Sequence, residues 1–220
     1  MFVNPIGGKR KAGKIYDTKV APILRLAGIS CEHIVTQRAN HARDLLADTN
    51  HPIKDYDGFV CVGGDGMFAE LLNGILERTQ KENNIESNQV DARLVQPSIP
   101  IGVIPAGSTD AVAFGVTGTN DPVTSTVHII FGKRIDIDVS SIHNAREDDK
   151  LIRYATSFLA YGFFGDVLLD SESNRWMGPK RYDWAGLKKF LGHKLYEGEI
   201  KLYVSTADGS PKDTNICQAE

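Results

Sequence analysis

The segment FVCVGGDGMFAELLNGI, residues 59–75, restricts the folds open to this chain more than any other stretch. Its first four residues form a short apolar run, which is typical of a strand covered on both faces in a parallel sheet. Apolar residues at helical spacing follow, namely Met67, Phe68, Leu71, Leu72, Ile75 and Leu76. Residues 63–66 are therefore predicted to be a strand-to-helix turn at the carboxyl end of a strand, where open α/β sheets bind ligands.

Short apolar runs alternate with helix patterns throughout residues 1–133, which predicts a βαβ series. Residues 14–28 are predicted to be a helix ended by Gly28, and residues 40–49 a helix with Asn40 as its N-cap. Residues 121–132 predict a helix capped by Asp121 and ended by Gly132. The polar, aperiodic residues 80–98 are predicted to be a mobile surface insertion.

The pattern changes at Arg134. Residues 134–142 and 197–205 alternate between polar and apolar, and residues 153–167 are rich in aromatic and β-branched side chains, so a mainly antiparallel β region is expected. The predicted fold is α/β. A doubly wound parallel-sheet domain over residues 1–133 is followed by the start of a mainly antiparallel β-sandwich domain over residues 134–220, which we expect to be incomplete.

Composition excludes several classes of protein. Twenty-five Lys and Arg against 28 Asp and Glu give a net charge of −3, which argues against a general nucleic-acid binder. Three scattered cysteines favour a reducing compartment over a disulfide framework or a zinc site. No apolar run has membrane-spanning length and no signal peptide is recognised, so a cytoplasmic location is expected, with a natural start upstream of Met1.

The first predicted turn is rich in glycine and basic residues. Gly8–Lys14 fits the P-loop spacing, but Ile15 stands where a Ser or Thr hydroxyl should reach magnesium, which rules out a true P-loop. The glycine-rich turn is still suited to binding phosphates, through its backbone N–H groups and through the positive charges of four basic side chains, Lys9, Arg10, Lys11 and Lys14. A flexible turn with solvated lysines is an equally weighted alternative.

Two further turns contain glycine. Gly64, Gly66 and Ala69 satisfy a dinucleotide-binding pattern, but no acidic partner stands at the end of a following strand. Residues 104–110, IPAGSTD, place Gly107, Ser108 and Thr109 at another strand end. Three such turns along one sheet edge favour a polyphosphate-binding cradle, and hence a nucleotide-binding domain.

Asp65 lies among glycines near a helix N-terminus, where the helix dipole stabilises negative charge. Phosphoryl transfer can use such a carboxylate to align the attacking hydroxyl, whereas an N-cap aspartate without chemistry is the alternative. Glu70 lies opposite the apolar stripe in the first turn of the same predicted helix. It is either a surface glutamate favoured by the dipole or a ligand of ribose or metal.

Residues 175–196 combine six basic side chains with a single acidic one, Asp183, and interleave them with Trp, Leu and Phe. A basic amphipathic segment of this kind can lie on an anionic membrane surface. Packing between domains is equally compatible with the pattern.

The ordered set of motifs resembles the lipid kinases of the diacylglycerol and sphingosine kinase superfamily. The turn in GGDGMFAELLNG alone would be weak evidence, because NAD kinases and phosphofructokinases contain similar turns. The whole chain is similar to the branch that phosphorylates ceramide. The motifs that carry these similarities are NPIGGK, TQRANHA, GGDGMFAELLNG, PAGSTD, KVAPIL, YGFFGDVLLDSESNRWMG and RYDWAGLKKFL.

The resemblance implies magnesium-requiring transfer of phosphate from ATP to the primary hydroxyl of ceramide, by an enzyme peripheral to membranes. It makes Asp65 the general base, puts Gly63, Gly64 and Gly66 beside the substrate hydroxyl, and assigns no metal ligand. Asp166 matches a lipid-headgroup contact. The implied nucleotide contacts are Asn4, Pro5, Ile6, Thr36, Gln37, Arg38, Ala39, Asn40, Glu70, Gly107, Ser108, Thr109, Arg175 and Arg181.

The chain departs from the superfamily pattern at one informative position. The aspartate that holds the headgroup in sphingosine kinases aligns with Leu168, which favours a neutral amide lipid over an aminodiol. Two alternatives stay open. The chain is a truncated or noncatalytic nucleotide-binding fragment of such a kinase, or it is an NAD-kinase-like enzyme with a soluble substrate.

Overall fold

The computed structural model describes residues 1–205 and 211–219 apart from Lys9, Pro179 and His193, and the side chains of Arg175 and of residues 202–205 and 211–219 lie outside the described part. The chain divides into two compact units, residues 1–157 and 158–220. A domain boundary after residue 133 remains a prediction.

The first unit contains a parallel sheet with helices on both faces. Its four strands lie in the order β2-β1-β3-β4 and every neighbouring pair is parallel, so the predicted doubly wound α/β fold is confirmed. The strands are β1 (Phe2–Val3), β2 (Ile34–Val35), β3 (Phe59–Gly63) and β4 (Ile101–Pro105). The helices are α1 (Ala12–Ile15), α2 (Ala21–Leu26), α3 (His41–Ala47), α4 (Asp65–Glu82), α5 (Ala111–Thr117) and α6 (Pro122–Ile130).

Alternate strand residues enter two separate cores because successive side chains of a strand point to opposite faces of the sheet. One core holds Phe2, Cys61 and Val103 together with buried residues of α3, α4 and α5. The other holds Val62 and Ile104 with buried residues of α1 and α2, and Ile129 and Ile130 of α6 pack against it. Both faces of the sheet are therefore covered, as the continuous apolar runs predicted.

Two predicted helix boundaries have clear physical causes. The helix predicted over residues 14–28 is continuous but passes through a π-helical turn at Tyr16–Val20, just before Pro22, whose missing N–H and ring do not fit a regular α-helix interior. Asp121 caps α6 as predicted, since its carboxylate accepts the N–H of Thr124 at 2.8 Å, and Gly132 follows the helix with a φ of 64°.

Asn40 occupies the N-cap position of α3, as predicted, but its side chain does not cap the helix. Asn40 precedes α3 but has a φ of 59° and makes no capping bond through its side chain, because a capping side chain requires extended rather than left-handed backbone. Instead, Glu70 of α4 accepts the N–H of Ala42 at 3.3 Å. The polar stretch after α4 is also anchored, because the buried side chain of Gln80 exchanges two 2.8 Å hydrogen bonds with the backbone of Val95.

An antiparallel hairpin closes the first unit. Its strands are β5 (Ser140–Asn144) and β6 (Lys150–Ala155), so antiparallel pairing after the parallel sheet is confirmed, although the predicted strand begins at Ser140 rather than at Arg134. The hairpin is attached to α4 through Asn73, whose side-chain amide accepts the N–H of Tyr154 at 2.8 Å and donates to its carbonyl at 2.9 Å.

The second unit contains helices before its strands. Its elements are α7 (Phe163–Glu172), a 3₁₀ turn (Arg175–Met177), α8 (Lys180–Leu191) and the antiparallel pair β7 (Gly198–Ser205) and β8 (Pro211–Ala219). The β prediction for residues 153–167 holds only as far as Ala155, where β6 ends. From Phe163 onward the chain is helical, because Val167 and Ser171 are buried at a spacing of four, which suits a helix better than a strand. Within the described ranges, no helix is long and apolar enough to cross a bilayer.

Three strand-end turns of the first unit pack backbone against backbone. Gly8, which has a φ of 54°, leaves no room for a side chain, because a Cβ there would lie 2.7 Å from the carbonyl carbon of Gly107. A Cβ on Gly107 would lie 2.5 Å from the Cα of Gly64. Such distances are shorter than real Cβ contacts, so the turns after β1, β3 and β4 approach this closely only because glycine occupies these positions.

We expect Gly107→Ala to lower the free energy of unfolding by about 1–3 kcal/mol, because the new methyl group overlaps rigid backbone. Gly66→Ala is the matched control, since Gly66 is exposed and a Cβ there meets nothing within 4 Å. The control should change the free energy by less than about 0.5 kcal/mol. Urea denaturation followed by circular dichroism measures both, and equal unfolding midpoints would contradict the tight packing.

Candidate functional site

The strand order creates one crevice in the parallel sheet. The chain leaves β1 toward β2 on one side and returns to β3 on the other, so the connections diverge between the adjacent strands β1 and β3. Ligands of open α/β sheets bind outside the carboxyl ends of the strands at such a point. The three predicted turns follow β1, β3 and β4, and the glycine contacts bring them together there.

The turn after β1 is shaped by Asn4. Its side-chain oxygen accepts the N–H groups of Ile6 at 3.0 Å and Gly7 at 2.9 Å, while its own N–H donates to the carbonyl of Val62 in β3. Asn4 therefore folds the first turn against the neighbouring strand, and Ile6 is left exposed. Nucleotide contact by Asn4, Pro5 and Ile6 remains a prediction, and Lys9 lies outside the described residues.

The residues predicted after β2 are held by local bonds. Buried Thr36 donates its N–H to the carbonyl of Val3, which aligns this segment with the end of β1. Arg38 forms an ion pair with Asp44 of α3 at 2.6 Å, and the N–H of Gln37 donates to the ring of His41. Contact of residues 36–40 with a nucleotide remains a prediction.

Asp65 is the first residue of α4, directly after the turn that follows β3. Its carboxylate crosses to the N-terminus of α5, where one oxygen accepts the N–H of Val112 at 2.9 Å and the other the N–H of Ala111 at 3.1 Å. A helix N-terminus stabilises negative charge, so this position suits a carboxylate held in a single orientation. Each carboxylate oxygen still has acceptor capacity for a further hydrogen bond.

The turn after β4 is closed by Asp110, which the sequence patterns did not single out. The N–H of Gly107 donates to Oδ1 of Asp110 at 2.8 Å, and Asp110 is nearly buried. Ser108 and Thr109, between these two residues, are exposed. The only sequence signal for this role was an aspartate three residues after a glycine at the start of a helix pattern, which is a common turn-forming arrangement.

Glu70 lies one turn and a half along α4 from Asp65. Its carboxylate accepts the N–H of Ala42 at the start of α3. Helix α4 therefore bonds to α5 through Asp65 and to α3 through Glu70. This contact assigns Glu70 a structural bond that the sequence did not predict. Contact of Glu70 with a nucleotide remains a prediction.

Cys61 lies in β3, in the strand that leads into the glycine turn. Burial raises the pKa of the Cys61 thiol to about 12, and the negative charges of Asp110 and Asp65 also raise it. The thiol therefore stays protonated at neutral pH and offers no thiolate nucleophile. Among the residues that the structure describes, no three His, Cys, Asp or Glu side chains cluster closely enough to hold a metal ion.

The remaining predicted site residues belong to the second unit. Arg181 lies 3.6 Å from Glu172 and donates to the hydroxyl of Tyr182 at 2.6 Å. Asp166 accepts hydrogen bonds from Lys194 at 3.1 Å and from Tyr196 at 3.0 Å, and these bonds lower the pKa of its carboxyl group. The backbone of Arg175 lies in the 3₁₀ turn, but its side chain falls outside the described part.

Comparison with known proteins identifies the family. The sequence model of the diacylglycerol kinase catalytic domain matches residues 1–142. The chain is 48% identical over 220 residues to ceramide kinase of Homo sapiens and 49% identical over 220 residues to ceramide kinase of Mus musculus, and each match covers 100% of this chain and 40% of the relative. It is 33% identical over 202 residues to sphingoid long-chain bases kinase 1 of Arabidopsis thaliana, covering 91% of this chain and 24% of that protein.

This chain therefore spans less than half the length of these relatives. The family match includes all four strands of the parallel sheet and the three turns that meet at their carboxyl ends. Together, the fold, the site and the match over residues 1–142 place the chain in the diacylglycerol kinase catalytic-domain family of lipid kinases.

Proposed function

We propose that the protein containing this chain transfers the γ-phosphate of ATP to the primary hydroxyl of ceramide and forms ceramide 1-phosphate. The reaction type is supported by one observation above the others, the carboxylate of Asp65 held between two strand-end turns at the crevice of the sheet. The choice of substrate is supported by the 48% identity to human ceramide kinase over the whole chain.

In this proposal Asp65 is the proton acceptor. The oxygen of the lipid hydroxyl forms a bond to the γ-phosphorus, and the bond between that phosphorus and the bridging oxygen breaks. The electron pair of the broken bond remains on ADP, and the hydroxyl proton passes to the Asp65 carboxylate and then to solvent. Phosphoryl transfer depends mainly on alignment and charge stabilisation, and the two bonds from α5 provide a fixed orientation for Asp65.

The turns that carry Gly8 and Gly107 are proposed to bind the phosphates of ATP. Both lie at the carboxyl edge of the sheet, and backbone N–H groups in such turns are suited to anions. Magnesium commonly binds through substrate phosphates, one or two carboxylates and water, so we propose that it enters bound to the phosphates of the nucleotide. Arg175 and Arg181 are proposed to pair with phosphate oxygens.

A neutral lipid headgroup is favoured over an amine. Identity is 48% to human ceramide kinase but 33% to the sphingoid base kinase, whose name indicates an amino-bearing lipid. The carboxylate of Asp166, proposed to contact the headgroup, is already paired with the ammonium of Lys194. Leu168, two residues further along α7, adds no charge. A cationic substrate would therefore have to displace Lys194.

Contact with a membrane is proposed for α8. Trp184, Leu187 and Leu191 share one helical face and are 52%, 54% and 68% exposed. The last turn of the helix carries Lys188 and Lys189. Exposed apolar side chains beside lysines suit the surface of a bilayer that contains anionic lipids.

Asp65→Asn in the full-length protein should lower kcat by at least ~100-fold, because the carboxamide accepts no proton. Asp121→Asn is a matched control, since Asp121 also accepts N–H groups at a helix N-terminus but lies at α6. It should keep kcat within about twofold, as expected for a weakened helix cap. Steady-state kinetics with ATP and ceramide in mixed micelles measure both, and an unchanged kcat in Asp65→Asn would remove Asp65 from the mechanism.

Substrate class can be tested with a panel of lipids. Full-length protein should transfer labelled phosphate from ATP to ceramide, with sphingosine and diacylglycerol much poorer acceptors and NAD inert. Preference for sphingosine would contradict the proposed substrate.

Leu168→Asp should raise the ratio of sphingosine to ceramide phosphorylation by ~10-fold or more, because a new carboxylate pairs with the ammonium of sphingosine. Leu169→Asp is the control, since Leu169 is the neighbouring residue of α7 and is 74% exposed. The ratio of kcat/KM for the two lipids is the measurement. An equal change in both variants would show that position 168 has no special contact with the headgroup.

Membrane binding can be measured by sedimentation with vesicles of phosphatidylcholine containing about 20% phosphatidylserine. Leu187→Glu should weaken binding of the full-length protein to these vesicles by ~10-fold. The change removes an apolar side chain that would be buried in the bilayer surface, and it adds a negative charge that the anionic lipids repel. Leu26→Glu is the control, since Leu26 is 89% exposed at the end of α2 in the first unit. Equal binding of the two variants would argue against membrane contact by α8.

A further inference from the structure

We propose that Asp110 is a positioning residue for Asp65. It sets the orientation of the first turn of α5, and that turn holds the carboxylate that receives the hydroxyl proton. The inference rests on the proposed function, because it assumes that Asp65 is the proton acceptor. The side chain of Asp110 itself accepts a hydrogen bond from the backbone of the turn after β4.

The backbone of Asp110 adopts a left-handed conformation. Its φ of 56° and ψ of 41° place it in the left-handed region, immediately before the first residue of α5. Only Gly, Asn and Asp adopt this conformation at low cost, because other side chains clash with the adjacent carbonyl. The residue at position 110 thus determines whether the chain can make this turn without strain.

A side-chain bond then closes the turn. Oδ1 of Asp110 accepts the N–H of Gly107 at 2.8 Å, and Asp110 is 9% exposed. The closure is tight, because a Cβ on Gly107 would lie 2.6 Å from the same oxygen. The bond therefore ties α5 to the glycine that packs against the Asp65 turn through Gly64.

The two peptide groups that follow Asp110 are the ones that hold Asp65. The N–H of Ala111 donates to one carboxylate oxygen at 3.1 Å, and the N–H of Val112 donates to the other at 2.9 Å. The direction of the Ala111 N–H depends on the ψ angle of Asp110, since that bond rotates the peptide plane between them. Loss of the Asp110 turn would let both donors move, and the Asp65 carboxylate would lose its fixed orientation.

Substitutions at position 110 can separate the acceptor oxygen of the side chain from the left-handed backbone conformation. Asparagine keeps both the acceptor oxygen and the left-handed backbone, glycine keeps only the backbone conformation, and alanine keeps neither. Asp110→Gly therefore removes the side-chain bond to Gly107 without adding backbone strain. Asp110→Asn is the matched conservative variant.

The decisive experiment is a double-mutant cycle in the full-length protein. Asp110→Gly should lower kcat for ceramide phosphorylation by ~10-fold or more, because small displacements of a reacting group are costly. Asp110→Asn should keep most of the wild-type kcat. In an Asp65→Asn background, Asp110→Gly should lower the residual kcat by less than about twofold, since residues that act as a unit are not additive. An equal loss in both backgrounds would overturn the proposal, because a purely structural role lowers both alike.

A second readout does not depend on the substrate. Hydrogen exchange of the peptide that covers residues 107–117 should be faster in Asp110→Gly than in the wild type and unchanged in Asp110→Asn. Unchanged exchange in Asp110→Gly would overturn the proposal. A wild-type protein that phosphorylates no lipid would instead overturn the proposed function, and exchange would still report whether Asp110 holds the donors of Asp65.

Discussion

Direct contact between the backbones of three turns is the constraint on which the site depends. Gly8, Gly64 and Gly107 lie so close that a single Cβ at any of them would meet backbone atoms at less than 3 Å. Turns with side chains at these positions would stand further apart. The N-terminus of α5 would then lie beyond the reach of the Asp65 carboxylate, which bridges the turns after β3 and β4.

Helix α4 connects the rest of the first unit to these turns. Asp65 binds the start of α5, Glu70 binds the start of α3 and Asn73 binds strand β6. These are polar bonds between different elements, and they add directional restraints to the apolar packing of α4 against the sheet. The proposed proton acceptor is therefore also part of the structural framework, which keeps its orientation fixed before substrate binds.

The strand, the glycine turn and the helix around Asp65 are present as predicted, because each leaves a local pattern of apolar spacing and glycine. The turn is shorter than the predicted residues 63–66, since Gly63 ends β3 and Asp65 begins α4. The cap at Asp121 followed from the same kind of local evidence. Asn40 was misjudged as a capping side chain because the bond that satisfies α3 comes from Glu70, which is 28 positions away from Ala42. Residues 163–167, which begin α7, were misjudged as β because aromatic content outweighed helical spacing in the interpretation.

Around β3, β4 and α6, sequence alone therefore determined where strands end, where helices begin and which polar residues stand at those junctions, since these properties depend on neighbours within a few positions. Tertiary structure decided which junctions meet and what each polar group binds. Asp65 and Ala111 are 46 positions apart, and their contact follows from the order and register of β3 and β4. No local pattern encodes that register, so the partner of Asp65 emerged only when the strands were assembled.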